Sequence, residues 1–180
     1  MRAEGGVANT AIRAQYQEIA IRFGHGSPFT VLHIGKDESA VAVGTGAQPP
    51  AIVTLAVGSS KTAREHFKHV SPTALELENA IVTVEDEITR ARTMLEERSA
   101  LFTRDAAVRE IGRIGGLPDN MEINLTLDSV EQTFERLVAV AQGRPPALEG
   151  LPNGLEFAAT LLILREFMHH MQFSAITVVC

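Results

Sequence analysis

The sequence predicts an α/β domain with a mixed, five-stranded sheet and helices packed on it, and three observations carry that expectation. Residues 29–57 read as three short strands punctuated by Gly35, Gly44, Gly46 and the Pro49-Pro50 pair. From Ser59 the apolar period changes to the helical one. The chain closes on Ala175-Ile176-Thr177-Val178-Val179, an apolar run of strand length.

In chain order, residues 1–14 are expected to be a flexible lead-in, since residues 1–10 are small and polar, and residues 15–180 a single domain. Ala11 to Phe23 reads as a short helix or the approach to a strand. Phe29 to Ile34 is rich in β-formers, Ser39 to Val43 alternates small and branched residues, and Ala51 to Val57 is nearly all apolar, as in strands buried on both faces. A long amphipathic helix follows over Ser71 to Glu97. Its stripe is Leu77, Ile81, Val84, Ile88, Ala91 and Leu95, and it starts either at Ser71-Pro72 or at a Thr73/Glu76 capping box. Ala100 to Phe102 suits a fourth strand. Helices are expected from Asp105 to Ile114, ended by Gly115-Gly116-Leu117-Pro118, and after Thr126 or Asp128, with Leu127, Val130, Phe134, Leu137, Val138 and Ala141 on one face. Leu155 to Met171 is apolar nearly all round and reads as an interior helix.

Composition narrows function. A net charge of −6, with 16 basic residues scattered along the chain, argues against a nucleic-acid partner, which clustered Lys and Arg would serve. The single cysteine, Cys180, allows no intramolecular disulfide. The first ten residues contain no apolar leader, and Arg165 and Glu166 interrupt the densest apolar run, so neither a membrane span nor export is expected and the cytoplasm is the default location.

Several strings, taken with their order, resemble one family. Gln17-Glu18-Ile19-Ala20-Ile21 with Phe23 and Gly24 is similar to an E-E-A-x-L-x-Y-x-G lead-in. His33-Ile34-Gly35-Lys36-Asp37-Glu38-Ser39 stands in place of D-I-G-G-G-S-T, and Leu55-Ala56-Val57-Gly58-Ser59-Ser60-Lys61 in place of L-P-L-G-A-V-R. The stretch LPNGLEFAATLLILREFMHHMQFSAITVV, Leu151 to Val179, is similar to a G-L-x-x-x-R-A-x-x-x-x-x-G-L-A-I-L segment. Together they resemble the second half of the exopolyphosphatase/guanosine pentaphosphatase (Ppx/GppA) phosphatases, over roughly residues 15–180. The resemblance implies an actin-like ATPase (ribonuclease H-like) half-domain. It also implies a phosphate site at Gly35, Lys36, Ser39, Gly58 and Lys61, with Glu18 as a catalytic base that orients water, and magnesium as the cofactor if the domain is active.

The departures bear on that site. A glycine-rich turn lets successive N–H groups converge on phosphate oxygens, whereas Lys36 and Asp37 replace two of those glycines and Asp37 and Glu38 add like charge. His33 stands where the family has aspartate, and the second phosphate turn, expected near SALFTRD at 99–105, has no glycine. The expectation is a Ppx/GppA-like domain that is catalytically degenerate and acts as an interaction or regulatory module. Its partner would be a second copy or another actin-like half. The alternative is an active phosphatase of polyphosphate or guanosine pentaphosphate, as part of a longer chain or assembly.

Other motifs carry less. His66 and His69 have helical spacing but no third ligand nearby in sequence, and the expected metal set is empty. His169-His170 reads as a helix end, where imidazole suits the dipole. Gly58-Ser59-Ser60-Lys61-Thr62 lacks the glycine before lysine that a P-loop needs.

Overall fold

The computed structural model describes residues 6–24, 26–95 and 98–180. Period-two alternation sets up a sheet with two buried faces. In β1 (Phe29–Ile34), Phe29 and Val31 point to one side while Leu32 and Ile34 point to the other, and all four are buried. β2 (Ser39–Gly44) repeats the pattern with Ala40 and Ala42 against Val41 and Val43. β1, β2 and the edge strand β3 (Ala51–Leu55) form an antiparallel meander, with Ile34 opposite Ser39 and Val41 opposite Val53. On the other side of β1, β4 (Ala100–Thr103) pairs parallel, then β6 (Ala175–Val179) parallel to β4, then β5 (Glu122–Thr126) antiparallel to β6. The order is β3-β2-β1-β4-β6-β5.

One face is covered by α2 (Ser59–His66), α3 (Ala74–Ile88), α4 (Ala106–Ile114), α5 (Leu127–Ala141) and α6 (Leu155–His170). α6 lies at the centre of this layer, touching α2, α3 and α5, so its apolar residues are buried all round, Phe167 and Leu161 to Leu164 among them. The opposite face is covered by α1 (Val7–Phe23), whose Ala8, Ile12, Tyr16 and Ile19 pack on Phe29, Val31 and Phe102. Tyr16 stacks on Phe29 with ring centroids 4.8 Å apart. No helix among the described residues is long and apolar enough to cross a membrane.

Three expectations change. The sheet has six strands: Glu122–Thr126 alternates only two apolar residues, Ile123 and Leu125, with polar ones, which is how an edge strand solvated on one side reads. The lead-in is not flexible as far as residue 14, because a helix begins at Val7; its anchors Ala8 and Ile12 sit four apart among small polar neighbours that hide the stripe. Residues 1–5 lie outside the described residues. The long helix expected from Ser71 to Glu97 is shorter. It starts after Thr73, which accepts from Glu76 N–H at 3.3 Å while the Glu76 carboxylate accepts from Thr73 N–H at 2.8 Å, and it tightens into a 3-10 segment, Thr89–Met94. Glu97 lies outside the described residues.

Candidate functional site

Because β1 and β4 are parallel neighbours, their C-terminal ends lie side by side, and the chain leaves them in opposite directions, β1 into the turn to β2 and β4 into α4. Asp105, two residues beyond the end of β4, sits at this divergence. One carboxylate oxygen accepts from Ile34 N–H at 2.7 Å; the other lies 2.7 Å from His33 Nδ1 and accepts from the Gln15 amide at 2.7 Å. Asp105 stands at the N-cap of α4, yet its side chain makes no capping bond to that helix. Its carboxylate is committed to β1 and α1 instead.

An ionised carboxylate only accepts, so in the neutral imidazole the contact fixes the proton on His33 Nδ1 and the lone pair on Nε2. Nε2 lies against Gly35, 3.3 Å from where a side-chain carbon on that residue would sit. The His33 ring is 17% exposed and Asp105 8%. Gln15 closes the network by accepting from Arg104 N–H at 3.0 Å, and one turn further along α1 Glu18 pairs with the Arg104 guanidinium. The junction therefore holds an oriented Asp-His pair, capable in chemical terms of accepting a proton at Nε2 of the neutral ring, with an ion pair beside it.

The phosphate-site residues fall on the other side of the turn. Gly35 N–H donates to Glu38 O at 3.1 Å, which closes the hairpin. The hairpin's outward carbonyls then meet the start of α2: Ser59 N–H donates to Gly35 O at 2.9 Å, and Ser60 and Lys61 N–H both donate to Lys36 O at 2.9 and 3.0 Å. These are the first-turn amides that a helix otherwise offers to an anion. Gly58 permits the approach, since a Cβ there would lie 2.5 Å from Lys36 O. Ser39 is fully buried and donates its hydroxyl to Val57 O at 2.7 Å. Lys61 Nζ reaches back to Ala56 O at 2.8 Å, and the Asp37 carboxylate pairs with Arg64 at 3.1 Å. The neighbouring Glu87 titrates below its ordinary range; burial pushes it up, but the Ala56 N–H, Arg90 and Lys61 outweigh that.

The structure thus brings Gly35, Lys36, Ser39, Gly58 and Lys61 into one turn-helix junction, and sets Glu18 apart beside Arg104 on the α1 side. His33 joins the two. Sequence reasoning missed Gln15 and Asp105 as site residues, because their contacts span 18 to 90 positions. His66 and His69 form no metal group among the described residues; His69 Nδ1 lies 2.9 Å from the Glu76 carboxylate instead.

No protein-family model and no curated protein sequence matches the chain. Solved structures do. The type II variant of the Aquifex aeolicus Ppx/GppA phosphatase aligns with 94% of this chain and 59% of its own, at a TM-score of 0.79 and 13% identity. An exopolyphosphatase-like protein aligns with 99% of this chain and 65% of its own, at a TM-score of 0.75 and 12% identity. For an exopolyphosphatase from Cytophaga hutchinsonii the shares are 94% and 59%, with a TM-score of 0.57 and 13% identity. This chain accordingly spans less than two thirds of the length of the structures it matches, and over that span it has the actin-like α/β fold of the Ppx/GppA phosphatases.

Proposed function

We propose that the domain is a catalytically degenerate module of the Ppx/GppA phosphatase fold that works by interaction or regulation. One observation carries this reading: the first-turn amides of α2 are taken by the carbonyls of Gly35 and Lys36. A phosphate would have to displace three backbone hydrogen bonds and approach past the exposed Asp37 and Glu38. The Asp105 and Glu18 carboxylates also suit a magnesium ion poorly, since both oxygens of Asp105 accept hydrogen bonds and Glu18 is engaged by Arg104. The test is calorimetric titration with a short polyphosphate in magnesium, together with phosphate-release assays on polyphosphate and guanosine pentaphosphate. The expected result is weak or no binding and no turnover. Tight binding with turnover would overturn it.

The oriented Asp105-His33 pair favours a second reading, in which the domain contributes a general base to a phosphoanhydride hydrolase assembled from a longer chain or a partner. In that case Glu18 or His33 acts on water and the residues around Gly35 and Gly58 approach the phosphate. Turnover that appears only with a second half-domain, and that His33→Ala and Glu18→Gln abolish, would establish it.

Under either reading the partner is a second copy of this domain or another actin-like half. The chain's coverage of little more than half of the matched phosphatases supports this, as do the exposed Val7 and Ile21 on α1. Sedimentation as a strict monomer at high concentration would count against self-association. The acidic charge balance disfavours nucleic acid, and the proposed location is the cytoplasm.

A further inference from the structure

At the far end of the helical layer from the hairpin, the last turn of α6 places His170 one turn beyond Glu166, and α3 brings Glu85 alongside. His170 Nε2 lies 3.0 Å from a Glu85 oxygen and 3.3 Å from a Glu166 oxygen, and the three donor atoms all fall within 4.8 Å of one another. Glu166 is 1% exposed in a helix whose other buried residues, Thr160 apart, are apolar. Burying a carboxylate there is expensive, and an apolar residue of similar volume would serve packing as well or better.

A single Nε2–H faces two carboxylate oxygens at nearly equal range, and it can point at only one of them. We propose that Glu85, Glu166 and His170 form a binding site for a divalent transition-metal ion of the zinc class. The donor set, one imidazole nitrogen and two carboxylate oxygens, is one zinc accepts. With zinc bonds of about 2.0–2.2 Å, tetrahedral ligands stand about 3.4 Å apart, close to both observed separations from Nε2.

The surroundings resemble the outer shell of a metal site. Arg165 binds the other oxygen of Glu166 and is itself held over the Phe134 ring at 4.8 Å, while Arg92 donates to His170 O at 3.1 Å and fixes the end of α6. The His170 and Glu85 side chains are partly exposed, 27% and 39%, which gives an ion a way in and leaves room for water as a fourth ligand. A metal ion would take the Nε2 lone pair, with the ring proton moved to Nδ1, and would set a positive charge facing both carboxylates at once.

The test uses tag-free protein carrying Cys180→Ser, which removes the exposed thiol as a competing ligand. Zinc affinity is measured by calorimetry, and cobalt is added as a probe whose visible absorption intensifies in four- or five-coordinate sites. The parent protein should bind one zinc ion and give the intense cobalt spectrum. His170→Ala and Glu85→Gln should each weaken zinc binding by at least about 100-fold and abolish the spectrum. A paired His66→Ala, His69→Ala variant should leave both unchanged. If His170→Ala does not fold, judged by circular dichroism, the partly exposed Glu85→Gln decides. A parent protein with no intense cobalt spectrum, or zinc affinity unchanged in Glu85→Gln, overturns the proposal.

Discussion

Gly58→Ala tests whether the start of α2 is truly closed by the hairpin. The added Cβ would lie 2.5 Å from Lys36 O, 2.6 Å from Lys36 C and 2.7 Å from Asp37 C, all backbone atoms that cannot swing aside as a side chain could. The hairpin and α2 must therefore separate, which strains the bonds from Ser59 N–H to Gly35 O and from Ser60 and Lys61 N–H to Lys36 O. At about 1 kcal/mol each, and with the carbonyls partly resolvated, the loss should be about 2–4 kcal/mol. For a domain of this size that is roughly a 10 °C drop in Tm. Gly154→Ala is the matched control. It too is an N-cap glycine in extended backbone, φ −166° against −156° for Gly58, but its Cβ would meet nothing nearer than 3.9 Å. Urea denaturation of both variants separates the capping effect they share from the steric one. Equal losses would refute the reasoning.

Four further outcomes follow from the packing and the polar network. Asp105→Ala leaves Ile34 N–H, His33 and Gln15 without their acceptor and should destabilise the domain by about 2–4 kcal/mol, measured in urea. Ile12→Ala, at a fully buried position of α1, should lose about 2–5 kcal/mol; a loss under 1 kcal/mol would mean that α1 does not cover its face of the sheet in solution. At the capping box, Thr73→Ala should cost about 1 kcal/mol. The Glu76 carboxyl is pushed up by burial but is brought down to about 2 by the N–H groups of Thr73 and Lys68 and by His69. A folded-state value below the ordinary 4.5 means that its contribution is whole above pH 4.5 and lost as pH falls towards 2, so Glu76→Gln should flatten stability against pH in that window.

The fold was legible where one residue pattern had one explanation. Leu155 to Met171, apolar all round, had to be interior. The start of α3 had two candidate caps, Ser71-Pro72 and the Thr73/Glu76 box, and the structure uses the second. β5 and the first turns of α1 were not legible, because each shows only two apolar anchors among polar neighbours, and what commits them is the surface they meet, β6 and the back of β1. The site divides in the same way. Gly58 stands out in sequence as a phosphate-turn glycine, while the structure gives it a different reason to lack a side chain, the Lys36 carbonyl. Gln15 and Asp105 meet only through folding, 90 positions apart. The clue that sequence did hold is an aspartate at a helix start, and there capping is the simplest explanation until the side chain is seen to point elsewhere.

Closure of the turn by its own backbone also bounds what restoring the family pattern can achieve. Changing Lys36→Gly, Asp37→Gly and Glu38→Ser together removes two carboxylates and should raise affinity for polyphosphate. Asp37, however, is exposed and already paired with an exposed Arg64, so its repulsion is largely screened. The three α2 amides stay bonded to carbonyls at positions 35 and 36, which the substitutions keep. Displacing them at about 1 kcal/mol each opposes binding by a factor on the order of 100. The triple variant should therefore gain no more than about 10-fold in calorimetry with a short polyphosphate in magnesium, still more than any single substitution of a surface lysine. A gain of 100-fold or more would mean that side-chain charge, rather than occupied backbone donors, is what keeps phosphate out.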